Sequence, residues 1–447
     1  MSGNELRFPP GFHWGAATSA HQVEGGNRAN DWWRFEQIPG AIRGVVGAPG
    51  AAGSGEACRH YERFDEDFAL AAADGHGAHR LSFEWSRIEP GRGRIDDTAV
   101  AHYHAVLASL AKHRLTPVVT LHHFTNPLWI ADAGGWESRA TVDRFEEFVR
   151  FCAREFGGEV DWWCTVNEPE VYAFRGWSEG IWPPRVRDNS RALEVIAHLL
   201  EAHGRAYRVL HAEDRADADG DGVAASVGFA KHVVQLEPLR AWHPLDRLQA
   251  HFERRVFVEA VERACADGEI ELEIPGARAV KRTLPELKGA WDYYGLNYYT
   301  RWRVRALAPE PHVPTPGAPL NDLGWEIWPD GLRQALLGAA RFGVPVLVTE
   351  NGVADAADRL RPRALVQFAE AMHAAIAQGA NVLGYLHWSL LDNFEWADGW
   401  NGRFGLYAVD PNDPARARVR RRSAEVFARL ARANAVTDDV RAAAARS

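Results

Sequence analysis

The sequence predicts an α/β protein folded as a single (β/α)8 TIM barrel, with its active site at the C-terminal ends of the strands. Short apolar runs alternate with longer amphipathic runs, as strands and helices do in parallel βαβ units. Eight of the short runs have the character of strands, the number that closes such a barrel. Several of them end abruptly in an amide or a carboxylate, which indicates a functional edge.

Length and composition favour one domain. The chain has 447 residues and a hydrophobic content of 46%, enough to bury a large core. Barrels of this kind exceed the usual domain length as one unit, and no linker rich in proline, glycine or serine divides the sequence. We therefore expect one domain over residues 1–447, with short tails at both ends.

The predicted elements follow from apolar spacing. The strand segments cover residues 12–18, 79–85, 116–122, 161–167, 223–229, 293–299, 345–350 and 382–388. The helix segments cover residues 62–74, 98–113, 141–156, 191–212, 330–342 and 363–378. A basic segment over residues 416–435 predicts a further helix at the surface.

A doubly wound open sheet is the alternative architecture for the same alternation of elements. It is disfavoured because no glycine-rich phosphate loop follows the first predicted strand. Two long loops, residues 44–57 and 305–325, follow the first and sixth strands. In a barrel, both loops would lie on the face that carries the active site.

Composition and charge disfavour several classes of protein. The net charge of −9 and the pI near 6.1 disfavour a nucleic-acid partner, which usually requires a basic surface. No apolar stretch reaches about 18 residues and no signal-peptide pattern is present, so we expect no membrane partner. The four cysteines lack CxxC spacing and should be free buried thiols. These features predict a cytoplasmic protein.

The sequence indicates no cofactor and no metal. Residues 217–222 match the opening of a calcium loop, but its twelfth position is Gly228, which supplies no carboxylate. The histidines form neither an HExxH motif nor a cluster of two histidines with a carboxylate. The early glycines do not form a dinucleotide-binding pattern.

Polar and aromatic residues follow most of the predicted strands. Asn167 and Glu168 end the fourth strand, and Glu350 ends the seventh. The other strand-end residues are Gln22, Glu24, His123, Phe124, Asn297, Tyr299, Trp388, Glu395 and Trp396. Because these ends converge in a barrel, we expect the side chains to line one pocket.

These residue types indicate chemistry on a sugar. Amides, histidine and carboxylates match a substrate dense in hydroxyl groups, and tryptophan matches the apolar face of a pyranose. Two glutamates across one pocket match the cleavage of a glycosidic bond. One glutamate must be protonated to assist the leaving group, and the other must be ionised to attack the anomeric carbon.

Five ordered motifs carry a family resemblance. They are FHWGAATSAHQVEGG (12–26), TVNEP (165–169), GLNYYT (295–300), VLVTENG (346–352) and WSLLDNFEWADGWNGRFGL (388–406). With these motifs the chain resembles glycoside hydrolase family 1, the β-glucosidase and β-galactosidase group. The resemblance extends from about Phe8 to about Ala428, nearly the whole chain.

The resemblance implies a role for each matching residue. Glu350 would be the nucleophile that forms a glycosyl-enzyme, and Glu168 would be the general acid and later the general base. Asn167 would bond the sugar 2-hydroxyl, while Tyr299 and Arg80 would hold Glu350 ionised. The other implied site residues are Gln22, His123, Glu395 and Trp396 at the remaining hydroxyls, Trp388 beneath the ring, Trp325 on the aglycone side, and Asn297 in support.

The implied activity is that of a retaining β-glycosidase acting on terminal β-D-glucosyl residues, and also on β-D-galactosyl and β-D-fucosyl residues. Its partners would be small β-glycosides or short oligosaccharides. Glu395 implies unphosphorylated sugars, because family members that accept 6-phosphates typically have serine there. Phe124 and Asn126 depart from the tryptophan and leucine that are commoner in the family, which leaves the fine specificity open.

Two alternatives use the same fold. Transfer of the sugar to an acceptor alcohol would use the same residues as hydrolysis. A catalytically inactive sugar-binding barrel is disfavoured because Glu168 and Glu350 are intact in their motifs. The sequence leaves open the natural aglycone, the preferred sugar and the oligomeric state, a homo-oligomer included.

Overall fold

Eight parallel strands form a closed barrel, as the sequence predicts, in a computed structural model that describes residues 5–43 and 53–446. Consecutive barrel strands are neighbours, and the pairing of β8 with β1 closes the ring. The strands are β1 His13–Ala17, β2 Ala78–Ser82, β3 Thr116–His122, β4 Trp162–Asn167, β5 Ser226–Pro238, β6 Tyr294–Val304, β7 Val346–Asn351 and β8 Val382–Trp388.

A helix follows each barrel strand along the chain. These helices are α1 His60–Ala73, α2 Asp97–Lys112, α3 Ala140–Phe156, α4 Asn189–Glu213, α5 Pro244–Arg254, α6 Pro329–Ala340, α7 Arg361–Ala377 and α8 Arg422–Ala433. The six helices predicted from periodicity are confirmed. The sequence analysis did not identify α5.

Shorter elements occupy the connections. The short helices are Ala20–Val23, Asp31–Glu36, Trp85–Ile88, Leu128–Asp132, Pro169–Ala173, Ala260–Asp267 and Asp438–Ala445. The π-helical turns are Phe174–Ser178 and Arg255–Glu259, and the 3-10 turns are Gly135–Glu137, Gly157–Glu159 and Trp396–Asp398. The short strands are Leu6–Arg7, Glu269–Leu272, Val280–Thr283, His312–Val313, Tyr407–Ala408, Val419–Arg420 and Ala435–Val436.

Apolar side chains pack on both sides of the barrel wall. The larger cluster lies between strands and helices and includes Trp163 and Val119. A smaller cluster includes Ala17, Ala78 and Val118 from three adjacent strands, so it fills the barrel interior. Because alternate strand residues face opposite sides, both layers come from the same short apolar runs.

The basic C-terminal segment differs from the predicted surface helix over residues 416–435. The helix α8 begins only at Arg422, and its buried face packs against α7. Before it, Arg418 donates to Asp67 on α1 at 2.6 Å, in a pair that is almost fully buried. The segment is therefore part of the helical layer, because its charges find acidic partners that are distant in sequence.

Other sequence predictions have mixed outcomes. Residues 44–52 of the first predicted loop lie outside the described residues, whereas the second, 305–325, is a loop whose strand His312–Val313 pairs with β6. The four cysteines are free and buried, as expected. Within the described ranges, the helices are too short or too polar to cross a membrane.

A buried arginine joins the segments that follow β7 and β8. The Arg361 guanidinium donates to the carbonyl oxygens of Asp355 at 2.6 Å, Val353 at 3.0 Å and Gly405 at 3.1 Å. It also donates to the Asp358 carboxylate at 2.6 Å. A buried guanidinium is tolerated here because its N–H groups meet acceptors in several directions.

The substitution Arg361→Met should lower the free energy of unfolding by about 3–5 kcal/mol, because it removes the charge partner of Asp358 and leaves the buried Val353 carbonyl without its donor. Urea unfolding followed by circular dichroism measures the loss. The control is Arg363→Met, an exposed position of the same helix, which should change stability by less than about 0.5 kcal/mol. Equal losses in the two variants would contradict the role of Arg361.

Candidate active site

The predicted site residues meet in one cavity of about 830 Å³ at the C-terminal ends of the strands. All ten predicted catalytic and substrate-binding residues line it: Gln22, His123, Asn167, Glu168, Tyr299, Trp325, Glu350, Trp388, Glu395 and Trp396. The two predicted supporting residues, Arg80 and Asn297, are fully buried beside these side chains. We call this space the active-site cavity.

Glu24 is the strand-end residue that the structure places elsewhere. Its carboxylate accepts from Arg87 at 2.7 Å and from Tyr103 at 3.0 Å, outside the lining of the cavity. The reason is local, because the short helix Ala20–Val23 turns the chain after Gln22. The expectation that Glu24 lines the pocket is therefore wrong.

Arg80 lies on β2 at the base of the cavity. Its Nη1 donates to Glu350 Oε1 at 2.5 Å, and its Nη2 donates to Asn167 Oδ1 at 2.7 Å. Its Nε donates to Thr120 Oγ1 at 3.0 Å. A guanidinium stays charged at any ordinary pH and only donates, so each of these partners must present an acceptor.

The donor and acceptor roles that Arg80 fixes extend to Glu168 through the side-chain amides of Asn167 and Asn297. Because Asn167 turns its oxygen to Arg80, the Asn297 group 3.2 Å from that oxygen must be the Nδ2 donor. The same Nδ2 donates to Glu168 Oε1 at 2.8 Å, and Thr349 Oγ1 donates to Asn297 Oδ1 at 2.7 Å. Oε1 of Glu168 is therefore an acceptor, and a proton on this carboxyl belongs on Oε2.

Glu350 is held on both of its oxygens. Besides the bond from Arg80 to Oε1, the Tyr299 hydroxyl donates to Oε2 at 2.7 Å. Gly352 lies two residues after Glu350, where only a glycine fits, because a Cβ at this position would lie 1.8 Å from the Trp388 carbonyl oxygen. The TENG segment can therefore pass close beneath the end of β8.

Three residues of the cavity have left-handed backbone conformations. They are Glu168, with φ of 44°, Trp396, with φ of 51°, and Phe124, with φ of 71°. Such conformations are costly for residues with a side chain and cluster at functional sites. At Glu168 the turn separates the end of β4 from the short helix Pro169–Ala173.

His232 is a cavity residue that was not predicted from the sequence. Its Nδ1 lies 3.2 Å from Glu168 Oε1, and its ring stacks at 21° on that of Tyr299. The predicted fifth strand ended at Phe229, but β5 continues to Pro238 and brings His232 to the cavity. The alternating residues beyond Phe229 were the available signal for the longer strand.

The protonation of Glu168 is linked to that of Glu350. Burial and the charge of Glu168 raise the pKa of Glu350 to about 7, although Arg80 acts in the opposite direction. Burial alone would raise the pKa of Glu168, but His232 and the hydrogen bonds to this carboxylate outweigh burial and lower its pKa. The two pKa values therefore belong to the pair, and the pair loses its protons in two linked steps.

Aromatic rings and buried polar groups form the end of the cavity away from Glu168. The His123 ring lies parallel to Trp388 and to Trp396, with centroids 6.0 Å and 6.1 Å away. Burial and the Arg80 cation hold the pKa of His123 well below its usual range, so the ring is neutral. Its Nδ1 is buried without a partner. This end therefore offers an unused polar atom between flat apolar surfaces.

Two further polar side chains are fixed at this end. Gln22 accepts from Ser19 at 2.7 Å and donates to the Phe394 carbonyl at 2.8 Å. Glu395 accepts from the Trp388 indole at 3.0 Å. Burial raises the pKa of Glu395 to about 8, and the charge of Glu350 adds to the increase. Glu395 can therefore present a protonated carboxyl that both donates and accepts.

An acidic cluster lies away from the cavity. Oxygens of Asp161, Asp217 and Asp219 lie within 4.8 Å of one another, before the N-terminal end of β4. Asp161 accepts from the backbone N–H groups of Ala218 and Asp219 at 2.9 Å and 2.6 Å. These bonds support the predicted polar turn before β5.

Comparisons with known proteins agree with this geometry. The profile of glycosyl hydrolase family 1 matches residues 4–436. A beta-galactosidase from Pyrococcus woesei is 31% identical, covering 97% of this chain and 98% of its own. A thermostable beta-glucosidase B from Thermobispora bispora is 34% identical, covering 91% of this chain and 87% of its own.

Solved structures with the same architecture are also similar. The beta-glycosidase from Pyrococcus horikoshii has a TM-score of 0.87 and 33% identity, with 99% of each chain covered. The family 1 b-glucosidase from Thermotoga maritima in complex with isofagomine lactam has a TM-score of 0.86 and 29% identity, covering 97% of this chain and 100% of its own. The family profile, these relatives and the five motifs around one cavity show that this chain belongs to glycosyl hydrolase family 1.

Proposed function

We propose that the protein is a retaining β-glycosidase that hydrolyses terminal β-D-glucosyl residues, and also β-D-galactosyl and β-D-fucosyl residues. The observation that carries this proposal is that two buried carboxyls in one cavity have different hydrogen-bond partners. Glu350 is bonded by a permanent cation and a hydroxyl, whereas Glu168 keeps one oxygen for proton transfer. The relatives named beta-glucosidase and beta-galactosidase support the glucosyl and galactosyl substrates.

The reaction has two displacement steps. A Glu350 oxygen attacks the anomeric carbon, the glycosidic C–O bond breaks, and Oε2 of Glu168 gives its proton to the leaving oxygen. In the second step Glu168 takes a proton from water, whose oxygen attacks the anomeric carbon and releases Glu350. The reactive arrangement has Glu168 protonated and Glu350 ionised, so the pair then holds one proton.

The remaining residues bind and orient the sugar. Asn167 offers its Nδ2 to the 2-hydroxyl, because its oxygen is already taken by Arg80. The neutral His123 offers its unpaired Nδ1 to another hydroxyl. The other proposed contacts are Gln22, Glu395 and Trp396 with the far hydroxyls, Trp388 beneath the ring and Trp325 beside the aglycone. Tyr299, Arg80 and Asn297 position the two glutamates, and the proposed reaction requires no metal or cofactor.

The substitutions Glu350→Ala and Glu168→Ala should lower the rate of hydrolysis in different ways. Glu350→Ala should abolish turnover, and azide should restore it by forming an α-glycosyl azide. Glu168→Ala should lose about 10²–10⁴-fold on poor leaving groups and much less on a dinitrophenyl glucoside, which needs little protonation. Glu179→Gln, at a cavity carboxylate paired with Arg175, is the control and should retain both activities. Equal losses on good and poor leaving groups would show that Glu168 is not the acid.

The pH profile of kcat/KM should be bell-shaped. Activity should fall above about pH 7, where the pair loses its proton, because burial and Glu168 raise the pKa of Glu350 to about 7. The acid limb should lie below the usual range of a glutamate, because His232 and hydrogen bonds lower the pKa of Glu168 against burial. The variant His232→Gln should move the acid limb to higher pH in an aryl glucoside assay. A limb that stays in place would refute this role of His232.

An aryl β-glucoside should be hydrolysed at least about 100-fold faster than its 6-phosphate, measured as kcat/KM. The phosphate carries about −1.5 to −2 charges and needs cations. The arginines among the described cavity residues already have acidic partners. Arg43 lies 4.0 Å from Asp398, and Arg175 lies 2.6 Å from Glu179. The 6-O-methyl glucoside controls for size without charge and should react faster than the phosphate. Faster cleavage of the phosphate would contradict the role of Glu395.

A further inference from the structure

The active-site cavity continues past Glu168 into a second, apolar half, here called the outer half. Two of its walls come from β5 and β6, which are the longest barrel strands and remain paired as far as Pro238 and Val304. Val234 and Leu236 of β5 line the cavity and belong to a small apolar cluster of their own. The long strands therefore build an apolar wall above the rim of the barrel.

Two phenylalanines complete this wall. Phe174, just after the helix that begins behind Glu168, stacks on Phe257 with centroids 5.6 Å apart and planes at 23°. Both rings line the cavity, and Phe257 also packs against the cluster formed by Val234 and Leu236. The result is a continuous apolar surface on the leaving-group side of the acid.

The polar side chains at the mouth of the outer half are paired with one another. Arg175 donates to Glu179 at 2.6 Å, and His312 lies 2.7 Å from Glu253. The Gln249 amide donates to the same Glu253 carboxylate at 2.8 Å. A second sugar in the outer half would therefore compete with existing bonds for its hydroxyl partners.

We propose that the outer half binds an apolar aglycone, so that the preferred substrates are alkyl and aryl β-glycosides rather than disaccharides. The proposal rests on the proposed function, because it names the leaving group of that reaction. A buried sugar hydroxyl without a partner is costly, on the order of 1–3 kcal/mol. Each buried methylene instead stabilises the complex.

The test is kcat/KM for methyl, butyl, hexyl and octyl β-glucoside and for cellobiose. The alkoxide leaving groups have similar intrinsic reactivity, so differences within the alkyl series report binding in the outer half. We expect a rise of about three- to fourfold per buried methylene. Cellobiose should be at least about tenfold slower than hexyl glucoside.

A variant links the preference to the wall. The substitution Phe174→Ala should lower the ratio of octyl to methyl kcat/KM by about tenfold, because it removes half of the stacked pair. Phe151→Ala, at a half-buried phenylalanine of α3 that does not line the cavity, is the matched control and should leave this ratio unchanged.

Failure of this inference is separable from failure of the proposed function. An active enzyme with no dependence on alkyl length, or with cellobiose faster than hexyl glucoside, overturns the apolar aglycone alone. An unchanged octyl-to-methyl ratio in Phe174→Ala also overturns it. A folded protein that cleaves no glycoside, an aryl glucoside included, overturns the proposed function and this inference together.

Discussion

The buried guanidinium of Arg80 is the interaction on which the rest of the site depends. It cannot lose its charge or accept a hydrogen bond, so it fixes the direction of the bonds around it. One branch ends at Glu350, and the other passes through Asn167 and Asn297 to Glu168. Both carboxyls proposed to be catalytic are thus oriented by one cation at the centre of the barrel. Removing it would leave Glu350 buried without its counter-charge.

The two ends of the cavity suit the two parts of a glycoside. At the inner end, fixed polar groups such as His123 and Glu395 lie among aromatic rings. At the outer end, the long strands β5 and β6 raise an apolar wall. The carboxyls of Glu168 and Glu350 lie between them, where the bond joining the two parts of the substrate would be placed.

Much of this arrangement could be predicted from the sequence, because short apolar runs define the barrel strands and strand ends converge. The length of β5 was missed because its outer part alternates polar and apolar residues, unlike the buried runs before it, although such alternation is itself a strand signal. His232 and the part of the apolar wall that β5 supplies, Val234 and Leu236, were missed for that reason. The lowered pKa of Glu168 depends on His232, and the pairing of Arg418 with Asp67 joins segments about 350 residues apart in the chain. Neither has a signal in local sequence.

In the proposed mechanism, Glu350 and Glu168 act on opposite faces of the sugar in two displacements. The most direct test is proton NMR of the anomeric signals while an aryl β-glucoside is hydrolysed. Two displacements should release β-glucose first, and the α-anomer should follow only by mutarotation. Prior appearance of α-glucose would mean a single displacement by water, and would contradict the assignment of Glu350 as the nucleophile.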